Sequence, residues 1–300
     1  MASDYIGRYA PSPTGPLHFG SLVAALGSYL QARTQRGRWL LRIENIDPPR
    51  EVPGAADDIV RTLEQFGFEW DGDVIWQANA HDRHRQAIQT LQNTGLLFAC
   101  NCSRKQLAKS GSPIYPGTCR ELKLPETGNS LRVRVDGEVS FTDRIQGTCV
   151  ENLSADCGDF VLLRRDQLVA YHLAVVVDDA AERVTEIVRG ADLLDVTARQ
   201  IFLQQCLGVP TPSYCHLPVA VNDAGEKLSK QTQAAAIDAT NPLPQLGRAW
   251  QFLGQQPVLN EVGNLDEFWQ AAQQHWQIDR VPRTRQRREQ GDASPDSVSA

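Results

Sequence analysis

The side chains best suited to handling a phosphate lie in two short motifs far apart in the chain. The first reads Arg8-Tyr-Ala-Pro-Ser12-Pro-Thr-Gly-Pro-Leu-His18-Phe-Gly20-Ser21, and the second Gly225-Glu-Lys227-Leu-Ser229-Lys230-Gln231. His18 has a ring N–H to give to a phosphate oxygen, and Gly20 lets a flat ring or a phosphate approach the backbone. Lys230 is a point charge on a flexible stem, suited to follow negative charge onto pyrophosphate during displacement at an α-phosphate. Each motif has a plainer reading: a Gly/Pro turn with an incidental histidine, and a solvated basic turn. Together, in this order, they point to a site that grips ATP from both ends and activates a carboxylate.

Such side chains need a scaffold. Tyr5 to Ala10 reads as a short strand, and Pro11, Pro13, Gly15 and Pro16 then exclude a regular helix and impose a tight loop. From Ser21 to Arg33, good helix formers place apolar residues at helical spacing. A strand therefore feeds a loop that opens on a helix N-terminus, where backbone N–H groups and the helix dipole attract an anion. Further strands are expected at Trp39–Ile43, Leu173–Val177, Glu186–Arg189 and near Cys215–Val219, with helices at Gly54–Phe66, His81–Thr94 and Val196–Leu207. This alternation implies an α/β fold on a parallel sheet, with ligands at the strand C-terminal ends. Residues 98–168 read differently, as an insertion in which Leu131-Arg-Val-Arg-Val alternates like a half-buried strand among frequent turn residues. Asn241 to Trp276 reads as two helices, Leu243–Leu253 and Leu265–Trp276. The segment from Arg283 to Ala300 starts with Arg-Thr-Arg-Gln-Arg-Arg, a basic stretch that could brush RNA, and is read as a disordered polar tail. The expected division is 1–97 and 169–240 for the two halves of a catalytic domain, 98–168 for the insertion, 241–282 for a short helical region and 283–300 for the tail.

Hydrophobic residues make up 41% of the 300, enough for a real core, and no apolar run reaches the length of a membrane span. The N-terminus has no signal-peptide character, so a cytoplasmic protein without a membrane is expected. Seven cysteines argue for thiols or metal ligands rather than a disulfide framework. The formal net charge of −6 is unusual for an RNA binder, so any basic surface must be local. A monomer is the default expectation.

Cys100-Asn-Cys102 and, after Tyr115-Pro-Gly-Thr, Cys119 supply three thiols toward a zinc ion, which takes four ligands. No histidine lies in this stretch, and by sequence alone Cys149 or Cys157 competes for the fourth place. The alternative is that Cys100 and Cys119 are small buried hydrophobes. His81 and His84, three apart on an expected helix, lack a third ligand and are read as a solvated face. His172 and His216, flanked by apolar strand residues, are read as packed or near ATP.

The paired motifs resemble the HIGH and KMSKS signatures of class I aminoacyl-tRNA synthetases, as His18-Phe-Gly20-Ser21 and Lys227-Leu-Ser-Lys230-Gln. The flanking text is similar to the glutamyl/glutaminyl branch: Arg8-Tyr-Ala-Pro-Ser12-Pro-Thr-Gly, Arg42-Ile-Glu44-Asn-Ile-Asp47-Pro-Pro-Arg50, Tyr171-His-Leu-Ala-Val-Val-Val-Asp178-Asp179, and Val184-Thr-Glu-Ile-Val-Arg189-Gly190-Ala-Asp192. At this length the large anticodon-binding region of full-length glutamyl enzymes is missing, and the chain resembles the truncated glutamyl-queuosine tRNA(Asp) synthetase family. That resemblance implies a Rossmann-type catalytic domain with ATP, Mg²⁺, L-glutamate and queuosine-bearing tRNA(Asp) as partners. His18 and Lys230 would be catalytic, with Gly20, Ser21 and Lys227 also at ATP. It also implies one structural zinc per chain on Cys100, Cys102, Tyr115 and Cys119, Tyr115 being supplied by the family pattern alone.

Glutamate has two carboxylates and one ammonium, so its pocket needs arginine and an acid. The resemblance gives these roles to Arg8, Arg189 and Glu44, with Ser12 and the Tyr171 hydroxyl beside them. The blander reading is that Arg8 pairs with Glu44 and Tyr171 is core. Asp47 and Arg50 look structural. Full-length glutamyl enzymes commonly have Asn where this chain has Val175 and Trp where it has Leu193, and losing both removes hydrogen-bonding groups beside the pocket. Three competing functions remain: a compact synthetase charging tRNA(Glu), a nucleotidylyltransferase for another acid, and a catalytically silent RNA-binding paralogue.

Overall fold

The computed structural model describes residues 4–109, 111–112, 114–222, 224–227, 235–257 and 262–289. In chain order the first half runs β1 (Ile6–Tyr9), α1 (Phe19–Thr34), β2 (Arg38–Ile43), α2 (Ala55–Gln65), β3 (Ile75–Trp76) and α3 (His81–Asn93). Next come β4 (Leu97–Cys100), α4 (Arg104–Ala108), β5 (Ser130–Val133), β6 (Glu138–Asp143), β7 (Gly147–Asn152) and β8 (Phe160–Leu163). The second half holds α5 (Tyr171–Ala181), β9 (Glu186–Gly190), α6 (Thr197–Leu207), β10 (Ser213–Leu217) and β11 (Val219–Val221). It closes with α7 (Pro242–Phe252), α8 (Leu265–His275) and β12 (Gln286–Arg288).

Strands β3, β2 and β1 pair in parallel, as do β9 and β10, and the Thr185 N–H bonds the Ile6 carbonyl at 2.9 Å where the two sets meet. The α/β expectation holds. The insertion is not a self-contained module: β4, β5 and β8 form a small antiparallel sheet, but β6 joins the main sheet beside β10. Two cores sandwich the sheet. One joins α1, α2, α7 and α8, with Trp39, Trp250 and Phe268 fully buried. The other joins α3, α5, α6 and the small antiparallel sheet. Helix α1 lies close on the sheet because Gly27 has no side chain; a Cβ there would sit 2.6 Å from Leu217 Cδ1.

Three expectations need correction. Leu173–Val177 is not a strand but the middle of α5. Its apolar run is buried all round, so periodicity was uninformative, and its β-branched valines favoured the wrong period. His84 is not on a solvated face: it is fully buried and 2.9 Å from Asp178, while His81 is exposed. The start of the presumed tail is ordered, since Gln286–Arg288 pairs in parallel with Val219–Val221; residues 290–300 lie outside the described residues.

Candidate active site

Side chains alternate across each strand, and this sets the site. Tyr9, Trp39, Leu41, Ile43, Val188, Cys215 and Leu217 join the core under α1. Arg8, Arg42, Arg189 and His216 occupy the alternate positions, on the face covered by α5 and α6. Arg8 is 4% exposed and grips Asp179 of α5 twice, Nε to Oδ1 at 3.0 Å and Nη2 to Oδ2 at 3.3 Å. Arg42, fully buried, donates to Asp179 at 2.7 Å and to Glu182 at 2.5 Å. Glu44 follows β2 with its carboxylate 3.5 Å from Arg42, and its Oε1 is buried without a hydrogen-bond partner among the described residues. Burial pushes the Glu44 carboxyl up to about 7, against the pull of Arg42 and Arg8.

Arg189 is held on two sides. Its Nε donates to His216 Nε2 at 3.0 Å, and its Nη2 to Thr197 Oγ1 at 2.9 Å and Gln200 Oε1 at 2.8 Å. Its Nη1 is buried with no acceptor among the described residues. Tyr171 opens α5; burial raises its phenol, Arg189 and Arg8 pull it down and Glu44 pushes it up. Arg8, Glu44 and Arg189 thus each act on the Tyr171 phenol, and Arg8 also acts on Glu44. Arg8 and Glu44 form no ion pair with each other among the described residues: Asp179 takes Arg8, and Arg42 faces Glu44.

The first motif turns beside this pocket. The Pro11 and Pro13 carbonyls accept from the Glu44 and Val52 N–H groups at 3.0 and 2.9 Å, and Gly15 sits at φ 137°, where glycine is favoured. Ser12 is exposed in this loop. His18 caps α1: its Nδ1 accepts from the Ser21 N–H at 3.3 Å, which leaves the ring proton on Nε2. Gly20 and Ser21 form the first turn of α1. Ala236 bridges to His18, and the Ile237 N–H donates to the Leu17 carbonyl at 3.0 Å, so the chain after the second motif returns beside the first. Lys227 pairs with Asp192 at 2.6 Å. Ser229, Lys230 and Gln231 lie outside the described residues.

In the insertion, the thiols of Cys100, Cys102 and Cys119 all lie within 4.8 Å of one another. The Tyr115 hydroxyl lies 3.5 Å from Cys100 Sγ and accepts from the Cys119 N–H at 2.8 Å. The Arg132 guanidinium stacks over the Tyr115 ring, 4.0 Å from its centroid, while burial and the neighbouring Cys100 and Cys119 thiols raise the Tyr115 phenol. Three thiols and a phenol in this space suit a tetrahedral zinc ion. Cys149 and Cys157 are not among the clustered thiols.

Residues 6–242 match the family model for tRNA synthetases class I (E and Q), catalytic domain. Over 94% of this chain and 92% of its own length, a glutamyl-Q tRNA(Asp) synthetase from Aromatoleum aromaticum is 55% identical. The protein of that name from Escherichia coli K12 is 50% identical over 93% of this chain and 91% of its length. The chain belongs to the glutamyl-Q tRNA(Asp) synthetase family. Among solved structures, a glutamate tRNA ligase from Elizabethkingia meningosepticum shares the fold, with a TM-score of 0.81 at 24% identity over 96% of this chain and 67% of that one. The family is one of ligases, and among the described residues no helix is long and apolar enough to cross a membrane.

Within this family's frame, Val175 lies one turn past Tyr171 and is 1% exposed in the second core. The Leu193 carbonyl accepts from Arg189 Nη2 at 3.4 Å. Residue-by-residue reading missed Asp179 and Arg42 as the anchors of the pocket. Both stand within the motif stretches, but nothing in the sequence pairs Asp179 with Arg8 or Arg42.

Proposed function

We propose that the protein activates L-glutamate with ATP, without needing tRNA, and then transfers glutamate to the queuosine cyclopentene-diol at the wobble position of tRNA(Asp). The observation that carries the first step is Arg189 Nη1, buried with no acceptor among the described residues, together with Glu44 Oε1, which accepts no hydrogen bond there although Arg42 lies 3.5 Å away. One suits a carboxylate and the other an ammonium, so the pocket takes an amino acid, and Arg8 adds a second cation for a second carboxylate. Ser12 and Tyr171 complete the glutamate ligands in this reading.

The glutamate α-carboxylate attacks the ATP α-phosphate, giving glutamyl-adenylate and pyrophosphate. The His18 Nε2–H and the first turn of α1 at Gly20 and Ser21 hold phosphate oxygens, while Lys227 and Lys230 follow the charge onto pyrophosphate. Mg²⁺ accompanies the nucleotide and neutralises part of its charge. A queuosine hydroxyl then attacks the mixed anhydride, releasing AMP. Cys100, Cys102, Tyr115 and Cys119 would hold one zinc ion, whose role would be structural. The acceptor rests on the likeness to glutamyl-Q tRNA(Asp) synthetases over more than nine-tenths of this chain and of theirs.

The test is transfer of labelled glutamate, with ATP, to tRNA from cells that make queuosine and from cells that do not. Label only on queuosine-containing tRNA(Asp) is expected. Label on tRNA(Glu) from both sources would make this a compact 3′-end synthetase instead.

A further inference from the structure

Arg189 can serve a carboxylate only if its guanidinium is turned so that Nη1 faces the pocket. The buried groups behind it fix that turn. Asp143 ends β6, and its Oδ1 accepts the backbone N–H groups of Ile145 at 3.0 Å, Gln146 at 2.8 Å and His216 at 3.2 Å. Its Oδ2 lies 2.6 Å from His216 Nδ1. An ionised carboxylate only accepts, so the ring proton sits on Nδ1 and Nε2 carries a lone pair. Arg189 Nε–H donates into that lone pair at 3.0 Å. The other tautomer would set two N–H groups against each other. Asp143 and His216 are 1% and 0% exposed, so water does not compete for these bonds.

We propose that His216 and Asp143 are positioning residues for the amino-acid substrate: Asp143 fixes the His216 tautomer, and His216 aims the Arg189 guanidinium at a substrate carboxylate. This rests on the glutamate-activation reading above. It also gives the inserted segment a part in the pocket, because Asp143 belongs to β6. Gln146, three residues on, donates to the His216 carbonyl at 2.9 Å and to the Thr284 carbonyl at 3.1 Å, so inserted segment, pocket strand and C-terminal segment meet behind Arg189.

The competing view is that Asp143 and His216 are a buried structural pair with no bearing on the ligand. Two substitutions separate the views. In His216→Gln the side-chain amide sits where Nε2 was and still offers Arg189 an acceptor. In His216→Asn the amide sits nearer Nδ1, keeps Asp143 and leaves Arg189 Nε unpaired. Glutamate-dependent ATP–pyrophosphate exchange is measured on the full chain, with melting temperatures alongside. His216→Asn is expected to raise the KM for glutamate about tenfold or more, with the KM for ATP unchanged. His216→Gln is expected to stay within about threefold of the unmodified protein. Asp143→Asn, whose amide can donate to Nδ1 and so reverse the tautomer, should raise the glutamate KM like His216→Asn, and it carries the test if His216→Asn does not fold. Equal glutamate KM values in all variants, or equal losses in His216→Gln and His216→Asn, would overturn the inference. No glutamate-dependent exchange by the unmodified protein would instead overturn the underlying reading, and this inference with it.

Discussion

Glu44 is a buried acid asked to be an anion. Its raised pKa of about 7 comes first from burial, and Arg42 and Arg8 only partly offset it. Below that value the carboxyl holds its proton and cannot pair with the ammonium of an amino acid. The KM for glutamate in pyrophosphate exchange should therefore fall as the pH rises through about 7 and level off above it. Glu44→Gln should raise that KM about tenfold or more and flatten its pH dependence. A pH-independent KM in the unmodified protein would remove Glu44 from the ammonium site. At this scale the sequence was informative where a motif fixes a residue's place relative to a strand end, as for Arg8, Glu44 and Arg189. It was silent on Asp179, whose bond to Arg8 spans 171 positions of chain.

Helix α5 shows why one element was misread. Its acids Asp178 and Asp179, with Glu182 just past its end, point inward to Arg8, Arg42, Arg83 and His84 rather than to water. A helix with apolar residues all round and charges facing in has no amphipathic stripe to read. Arg42 is the hub of this docking, so removing it takes a buried partner from Asp179, Glu182 and Glu44 and leaves Asp179 to Arg8 and Glu182 to a 3.9 Å contact with Arg83. Arg42→Leu should lower stability in urea unfolding by about 3–5 kcal/mol; a change below about 1 kcal/mol would mean water reaches the network. The small antiparallel sheet offers the parallel case. Cys100 ends β4, and the loop carrying Tyr115 and Cys119 folds back on it around the thiols. Elemental analysis should find about one zinc per chain, removed by Cys119→Ser with a fall in melting temperature, while Tyr115→Phe should bind zinc more weakly. Full zinc retention by Tyr115→Phe would assign the fourth place to another group.

For the whole molecule, the net charge of −6 confines RNA contact to a local surface. The C-terminal strand offers a candidate basic patch that composition alone does not locate, because pairing of β12 with β11 depends on long-range packing rather than local propensity. Within it, Arg287 is committed to the end of α7, where its guanidinium reaches the Phe252 carbonyl and, at 3.3 Å, the Gln251 carbonyl. Arg285 pairs with Asp195, while Arg283 and Arg288 are exposed. The Thr284 carbonyl, joined through Gln146 to His216, puts this strand beside the pocket wall. Arg283→Ala/Arg288→Ala should therefore slow transfer of glutamate to tRNA roughly tenfold at low salt. It should also make the dependence of log affinity on log salt shallower by about 1.5, two phosphate contacts being lost. Pyrophosphate exchange, which needs no RNA in the proposed mechanism, should not change. If exchange falls together with transfer, these arginines support the fold; if neither changes, the RNA lies on another face.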